Sequence, residues 1–280
     1  MTVLILVVGA LMLVSIWASL VTYSFFWYEN AWNARLEPDH GSKLRLMALS
    51  GLLSSIASVI FIMISYPLGM FRHLWEPKEI CATEPVIILT HGLYHNRSAW
   101  LLFRNSLRKA GFKNIFLMNY SSFFTSFEKI IKKFEKFVAD AMQAVPGQPV
   151  FLVGHSLGGL LSRAYAENAK GGAVPAAVIT MGAPHQGSKL AAFGLGKLAS
   201  SLLYRGPLFT GLESGPSRLP CGGVAFFSPV DNMVLPLEAM KVPSQGWIYY
   251  ETPPLSHTAM LYSKSIAKQV IAILRGQTVS

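Results

Sequence analysis

The sequence has 280 residues, of which 52% are hydrophobic and only 14% are charged, and its net charge is +10 at pH 7. This balance is more apolar than that of an ordinary soluble domain and is typical of a protein with a membrane segment. The basic charge has no nucleic-acid recognition motif beside it, so we do not expect a nucleic-acid partner.

Two uncharged stretches lie near the N-terminus, at about residues 3–27 and 47–70. Each is long enough to cross a hydrocarbon layer of roughly 30 Å as a helix. The first lacks the basic start and the Ala-x-Ala site of a signal peptide, and the second is too long for an ordinary core helix. We therefore predict a membrane anchor of two transmembrane helices in residues 1–75, followed by a second domain in residues 83–280.

Aromatic and small residues add detail to this anchor. The aromatic residues at the two ends fit interfacial belts and are Trp27, Tyr28, Trp32, Tyr66, Phe71 and Trp75. The small residues of the second stretch are Gly51, Ser54, Ser55 and Ser58. Small residues let helices approach closely, so this set indicates either a homodimer through the anchor or small positions with no interface.

The orientation of the anchor depends on a difference of one charge. The connecting loop carries Arg35, Lys43 and Arg45, whereas Arg72 and Lys78 follow the second stretch. The positive-inside rule then predicts a cytoplasmic loop and an integral protein of a bacterial inner membrane, with the second domain on the periplasmic side. Cys81 and Cys221 would form a disulfide or stay free in that compartment, and both alternatives remain open.

The remaining sequence alternates between strand-like and helix-like segments, as a doubly wound, mostly parallel α/β sheet requires. The predicted strands lie at 85–90, 114–120, 149–153, 176–182, 224–228 and 246–250, and the clearest helices at 98–109, 126–144 and 157–168. The helix at 126–144 places lysines away from its apolar face, which indicates either a solvated surface or contact with anionic lipid headgroups.

The segment FLVGHSLGGL at 151–160 places Ser156 between a strand and a helix. A Gly-x-Ser-x-Gly motif at such a junction is typical of a nucleophile elbow, a sharp turn that exposes the serine. Gly154 and Gly158 permit the close packing that this turn needs. Ser156 is therefore the candidate nucleophile.

A serine nucleophile needs a histidine base and an acid, which follow it along the chain in the order acid, then histidine. Asp231 is the one aspartate after Ser156, and His257 is the one histidine after Asp231. The lesser acid candidates are Glu167, Glu213, Glu238 and Glu251. Taken singly, Asp231 is also suited to capping a turn and His257 to starting a helix. Together the three residues predict a Ser156–His257–Asp231 triad.

The same chemistry requires two backbone N–H groups that stabilise an oxyanion. The residue after the nucleophile supplies the first, which is Leu157. The strand at 85–90 is followed by His91, Gly92 and Leu93, and the glycine allows the backbone to direct the Leu93 N–H group toward the site.

The segments THGL, VGHSLGG, TMGAPHQGS, SPVDNMVLP and LSHTAM occur in this order and resemble the α/β-hydrolase superfamily, specifically bacterial triacylglycerol lipases and related esterases. The resemblance covers about residues 83–275. It implies a minimal α/β-hydrolase fold of six parallel strands, with Ser156 as nucleophile, His257 as base, Asp231 as orienting acid and the Leu93 and Leu157 amides as oxyanion donors. It also implies structural roles for His91 and His155. Some of these lipases hold calcium with two further aspartates, which are missing after Ser156, so no metal is expected.

These features predict a membrane-anchored serine hydrolase (lipase, phospholipase or esterase) that cleaves acyl esters of lipids and uses no cofactor. An acyl thioesterase or an acyltransferase would use the same triad, and a non-catalytic lipid-binding scaffold on this fold is a further alternative. The leucine-rich segment 190–212 indicates either a lid over an acyl pocket or a packing helix of the sheet.

Overall fold

Six strands form one sheet in the computed structural model, which describes residues 2–32, 38–169, 171–213 and 218–277. The strand order is β2-β1-β3-β4-β5-β6 and every neighbouring pair is parallel. The strands are β1 (Val86–Thr90), β2 (Ile115–Met118), β3 (Val150–His155), β4 (Ala177–Met181), β5 (Arg218–Phe227) and β6 (Gln245–Glu251). The predicted parallel sheet of six strands is thereby confirmed.

Helices cover both faces of this sheet. The helices are α1 (Thr2–Trp32), α2 (Pro38–Ser65), α3 (Leu101–Lys109), α4 (Phe127–Ala144), α5 (Leu157–Asn168), α6 (Lys197–Ser200), α7 (Pro207–Glu213) and α8 (Lys264–Leu274). α4 and α5 pack against the face that carries Ile88 and Leu152, whereas α3 and α8 pack against the face that carries Ile87 and Val153. Burial of both faces explains why β1 reads as an uninterrupted apolar run.

The two N-terminal helices, α1 and α2, pack against each other in antiparallel fashion and are called the hairpin below. Ser19 Oγ donates to Ser55 Oγ at 2.8 Å, and Ser15 lies opposite Met63. The segments Leu6–Asn30 and Lys43–Met70 are long and apolar enough to span a membrane. The second of them ends in a short 3-10 turn, Tyr66–Met70, rather than in α-helix. Arg35 and the side chain of Trp32 lie outside the described residues.

The hairpin is docked on the sheet domain instead of standing apart from it. Tyr23, Phe26 and Ala48 of the hairpin share one buried cluster with Val230 and Leu235 of the loop after β5. At the hairpin's edge, Lys189 Nζ lies 2.7 Å from Glu29 Oε1. The contacts join residues more than 150 positions apart in the sequence, so they define the tertiary arrangement of the N-terminal segment.

One expectation for the anchor, the interfacial position of Trp75, needs correction. Trp75 is buried, its Nε1 donates to the Leu68 carbonyl at 2.8 Å, and the Arg104 guanidinium lies 5.5 Å from its ring centre. It therefore packs in the core of the sheet domain, and its assignment to an interfacial belt was wrong. The small residues proposed for a homodimer, namely Gly51, Ser54, Ser55 and Ser58, contact α1 or the loops after β5 and β6 of the same chain. That face is already covered by the chain itself.

Both cysteines of the chain, Cys81 and Cys221, are free and half-buried. Of the two predicted alternatives, a disulfide or two free cysteines, the structure has two free cysteines. Burial raises the pKa of the Cys221 thiol to about 11, so this thiol stays protonated at neutral pH.

Candidate active site

All the predicted site residues lie at the carboxyl edge of the sheet. Ser156 follows β3, Gly92 and Leu93 follow β1, Asp231 lies in the loop after β5, and His257 lies in the loop after β6. Parallel strands end at one edge, and loops from different strands meet there. Residues that are 26 to more than 160 positions apart in sequence are therefore neighbours.

The backbone at Ser156 is strained. Its φ is 54° and its ψ is −124°, a conformation that side-chain-bearing residues rarely adopt. A Cβ at Gly154 would overlap the backbone of Gly158, and a Cβ at Gly158 would overlap the backbone of Thr90. The two glycines therefore let β3, α5 and β1 approach closely enough to hold this turn. This backbone geometry agrees with the predicted nucleophile elbow.

His257 and Asp231 are joined by a short hydrogen bond. His257 Nδ1 donates to Asp231 Oδ2 at 2.8 Å, and Asp231 is fully buried. The other carboxylate oxygen, Oδ1, accepts from the backbone N–H groups of Met233 and Val234 at 2.8 and 2.9 Å. A buried carboxylate needs such donors. Because Nδ1 carries the proton, Nε2 of a neutral His257 is left as a proton acceptor.

The two predicted oxyanion donors lie on either side of Ser156. Leu157 is the first residue of α5, where a backbone N–H group has no partner within the helix. Among the described residues, the Leu93 N–H group makes no hydrogen bond. A Cβ on Gly92 would lie 2.8 Å from Ser156 Cβ, so the loop after β1 passes directly beside the serine. Both amides are therefore available near the hydroxyl-bearing carbon of Ser156.

Two histidines next to the site have structural contacts. His91 stacks on Tyr120 at 4.2 Å, its Nδ1 donates to the Gly92 carbonyl, and its Nε2 accepts from the Tyr120 N–H group. His155 Nε2 donates to the His257 carbonyl at 2.9 Å. Burial lowers the pKa of His91 to about 3 and holds that of His155 well below its usual value. Both rings therefore stay neutral and brace the loops around Ser156.

His185, the other histidine after Ser156, lies away from these groups. Its Nε2 is 3.2 Å from Thr180 Oγ1 and its ring lies 5.2 Å from that of Trp247. Among the lesser acid candidates, Glu167 is buried and accepts from Arg163 Nε at 2.8 Å. Neither residue lies in the cavity described next.

The buried histidines predict a loss of stability in acid. Burial lowers the pKa of His91 to about 3 and the pKa of His95 to about 4. Burial also holds the pKa values of His155 and His185 well below 6.5. Below pH 6.5 the unfolded chain therefore binds more protons than the folded chain. The contribution of these histidines to the free energy of unfolding is complete above pH 6.5 and is lost as the pH falls. Between pH 6.5 and pH 5 we expect the free energy of unfolding to fall by about 2 kcal/mol for each of these histidines.

Denaturant unfolding at several pH values between 7.5 and 5 measures this loss. His91→Gln should reduce the pH slope by about one proton, whereas His73→Gln, on an exposed residue, should leave the slope unchanged. Unfolding free energies that stay constant from pH 7 to pH 5 would contradict the prediction.

A cavity of about 440 Å³ opens at Ser156. Ser156, His257 and Leu93 line it, together with Leu190 and Leu202 from the segment after β4. A mainly apolar cavity with a few convergent polar groups is the usual form of a small-molecule site. This cavity has the size and the chemical character to hold an apolar chain beside the serine.

The segment 190–212, predicted as either a lid over an acyl pocket or a packing helix, both lines the cavity and packs on the sheet. It consists of a 3-10 turn, Lys189–Phe193, followed by α6 and α7. Leu190 and Phe193 line the cavity, whereas Leu198 and Phe209 are buried in the core against the sheet. The segment therefore forms part of the cavity wall as several short helices and not as one continuous helix.

The sequence interpretation missed that the hairpin also lines this cavity. Thr22 and Phe25 of α1 and Ser55 and Val59 of α2 face it. A signal was present, because hydroxyl-bearing residues recur along one face of otherwise apolar helices, and such residues need polar partners. Within the described ranges, no group of three or more His, Cys, Asp or Glu side chains is arranged to hold a metal ion.

Comparisons with known proteins agree with the fold. A model of the alpha/beta hydrolase fold matches residues 85–204. No curated protein sequence matches the chain. Among solved structures, the mature lipase BlEst2 of Bacillus licheniformis has a TM-score of 0.57 at 16% identity, and the match covers 72% of this chain and 94% of that lipase.

Two phospholipases are also similar. Phospholipase PlaB of Legionella pneumophila has a TM-score of 0.57 at 15% identity, with 69% of this chain and 60% of PlaB covered. This chain therefore spans less than two thirds of PlaB. A membrane phospholipase A, described as a bacterial virulence factor, has a TM-score of 0.54 at 14% identity, with 84% and 98% covered. The match to the family model over residues 85–204 and the likeness to these enzymes show that the chain has an α/β-hydrolase fold.

Proposed function

We propose that the protein is a membrane-anchored serine hydrolase that cleaves acyl esters of lipids. The observation that carries this proposal is the juxtaposition of Ser156, on a strained elbow, with the His257–Asp231 pair at one apolar cavity. The elbow supports an exposed nucleophile, and the pair supports a base of defined tautomer.

The proposed reaction uses each group in turn. Ser156 Oγ attacks the ester carbonyl carbon while its proton passes to His257 Nε2. The Leu93 and Leu157 N–H groups stabilise the negative charge that forms on the carbonyl oxygen. The bond to the leaving alcohol then breaks, and the alcohol takes the proton from His257, which leaves an acyl-Ser156 ester. Water repeats the attack and releases the fatty acid and the free serine.

Asp231 would orient His257 and stabilise the imidazolium. Its two backbone hydrogen bonds fix the carboxylate, so that Oδ2 stays directed at His257 Nδ1. The mechanism needs no metal ion and no cofactor, because proton transfer and charge stabilisation come from side chains and amides.

The lipid substrate class is supported by the apolar cavity and by lipases and phospholipases that share the fold. Residues 1–75 would act as the anchor with two spans and residues 83–280 as the catalytic domain. The charge balance favours a catalytic domain on the periplasmic side of a bacterial inner membrane. An anchor increases the effective concentration of the enzyme at bilayer lipids.

The test is the release of fatty acid and lysolipid from phospholipid liposomes, and of fatty acid from acylglycerol emulsions, by the full-length protein and by Ser156→Ala. We expect the wild-type protein to release fatty acid and the variant to lose at least about a thousand-fold in rate. Ser121→Ala, in an exposed loop, is the matched control and should keep full activity.

Lysolipid release that depends on Ser156 would identify a phospholipase, whereas release from acylglycerols alone would identify a tethered lipase. Absence of Ser156-dependent release from both substrates would contradict the proposal. In that case thioester cleavage, acyl transfer to an alcohol, and lipid binding without turnover would be the alternatives to measure.

A further inference from the structure

The hairpin lies at the reaction centre and not only at the membrane. We propose that α1 and α2 form one wall of the acyl-binding cavity, so that the substrate is a bilayer lipid whose acyl chain lies between the hairpin and the hydrolase domain. This inference rests on the proposed function, because it assigns the substrate class and the access route to the same Ser156 site.

The first support is the shape of the cavity. On α1, Ala18, Thr22 and Phe25 line it, and they recur at the spacing that places residues on one helical face. On α2, Ser55 and Val59 are four positions apart and line the same cavity. The hairpin therefore faces Ser156 with a continuous, mainly apolar stripe from both helices.

The second support is that the hairpin is fastened to the loop after β5, which carries Asp231. Tyr23 Oη donates to the Val230 carbonyl at 2.9 Å. Asn232 Nδ2 donates to Thr22 Oγ1 at 2.7 Å, and Asn232 Oδ1 accepts from the His257 N–H group at 3.1 Å. One side chain thus links α1 to the backbone of the proposed base.

The loop after β6, which carries His257, is fastened to α2 in the same way. The Ser256 N–H group donates to Ser54 Oγ at 2.9 Å, and the hydroxyls of Ser58 and Thr258 are 2.7 Å apart. These bonds flank His257 on both sides. In apolar helices, hydroxyl groups need polar partners, and here the partners belong to the loops of the site.

The third support is the position of the domain along the hairpin. On α2 and its 3-10 extension, polar contacts to the domain run from Ser50, which donates to Pro254, to Tyr66, which accepts from Asn96. Sixteen residues of helix span about 24 Å. The domain is therefore packed along the side of the hairpin, so that the loops of the site contact the helices themselves.

The fourth support is an apolar rim that continues from the hairpin onto the domain. Phe193 and Leu195 are 69% and 71% exposed, and the ring of Phe193 packs on Phe25 of α1 at 5.0 Å. Tyr94, which lines the cavity, donates to the Leu195 carbonyl at 2.6 Å and stacks on the exposed Phe123. Exposed apolar patches of this kind mark interaction surfaces.

The occupant of this rim is the bilayer itself. The rim adjoins two helices that are apolar enough to span a membrane, and both helices carry exposed apolar side chains. An acyl chain of a lipid in the leaflet then moves past Phe193 into the cavity without crossing water. A soluble short-chain ester gains little from such a wall.

The proposal is tested by a substitution in the hairpin that narrows the cavity. Val59→Trp places a larger side chain in the cavity, and Leu13→Trp places the same side chain on the exposed surface of α1 as a matched control. The readout is kcat/KM of the full-length protein in membranes for 4-nitrophenyl palmitate and 4-nitrophenyl butyrate. We expect Val59→Trp to lower the palmitate-to-butyrate ratio by about ten-fold or more, and Leu13→Trp to leave both substrates unchanged.

A second variant, Phe25→Ala, removes wall area without adding bulk and should also lower the palmitate-to-butyrate ratio, by roughly ten-fold. It decides the outcome if Val59→Trp fails to fold. If the palmitate-to-butyrate ratio is unchanged in the folded variants and activity still depends on Ser156, the hairpin does not form a wall of the acyl-binding cavity. The proposed function would then remain intact. Hydrolysis that persists in Ser156→Ala would instead overturn the proposed function.

Discussion

Replacing Asp231 with asparagine should lower kcat by about ten-thousand-fold while the protein stays folded. In the structure, Asp231 Oδ1 accepts two backbone N–H groups and Oδ2 accepts the proton of His257 Nδ1. The asparagine oxygen would keep the two backbone donors. Its NH₂ group would then face His257 Nδ1, which is possible only if the histidine proton moves to Nε2. The nitrogen that should accept the Ser156 proton would be blocked.

The measurement is the steady-state hydrolysis of a soluble ester by Asp231→Asn in comparison with wild type, with KM determined in both. A loss confined to kcat indicates a tautomer effect, since ester binding does not involve Asp231. Asp140→Asn makes the same chemical change at an exposed residue of α4, where Asp140 pairs with Lys136, and should keep full activity. A loss of less than about ten-fold for Asp231→Asn would remove Asp231 from the proposed triad.

Replacing Arg163 with methionine should lower the free energy of unfolding by about 3–5 kcal/mol. Arg163 and Glu167 lie one turn apart on α5, 2.8 Å from each other, and their side chains are only 1% and 2% exposed. Arg163 also donates to the His185 carbonyl at 3.0 Å. Removal of the arginine would leave the Glu167 carboxylate buried without its cation, which accounts for most of the cost.

Chemical unfolding of the full-length protein in detergent micelles measures this effect. The double variant Arg163→Met with Glu167→Leu should recover more than half of the loss, because it leaves no uncompensated charge. Lys136→Met breaks an exposed pair of the same spacing and should cost less than about 1 kcal/mol. Equal stability of Arg163→Met and wild type would show that the buried pair does not hold α5 in place.

Much of the fold could be predicted from local pattern. The helix predicted at 157–168 is α5, and the strands predicted near 85–90 and 176–182 are β1 and β4, each within one residue. These elements are flanked by glycine or proline and have a clear apolar pattern, so local propensity and burial agree. The helix predicted at 98–109 begins with a 3-10 turn, Arg97–Trp100, because Asn96 caps Ser98 and tightens the first turn.

The docking of the hairpin could not be predicted in this way. Tyr23 and Val230 are 207 positions apart, and Ser54 and Ser256 are 202 apart. Hydrophobic periodicity reports which face of a helix is polar but not what covers that face. For the serines of α2, the sequence therefore left a homodimer and the absence of an interface as alternatives, whereas the fold places Ser54 and Ser58 against loops of the same chain and Ser55 against α1. Trp75 was misassigned for the same reason, since an aromatic residue after an apolar helix fits a membrane interface and a protein core equally well.

For the candidate site, chain order and residue scarcity identified three side chains that the fold then brings to one edge of the sheet. The His257–Asp231 hydrogen bond and the strained backbone of Ser156 agree with the roles assigned to them, which stay predictions until activity is measured. The supporting residue Asn232 was not identified, because its importance comes from two simultaneous hydrogen bonds, to Thr22 and to His257, that only the folded chain reveals.

The central claim is that Ser156 is an activated nucleophile at a cavity for acyl chains. The measurement that tests it most directly is peptide mass spectrometry of the membrane-bound protein after treatment with a long-chain alkyl fluorophosphonate, which forms a stable bond with activated serines. We expect a single adduct on the peptide that contains Ser156 and greatly slowed labelling in Asp231→Asn. No adduct, or an adduct on another serine while Ser156 stays unmodified, would contradict the account.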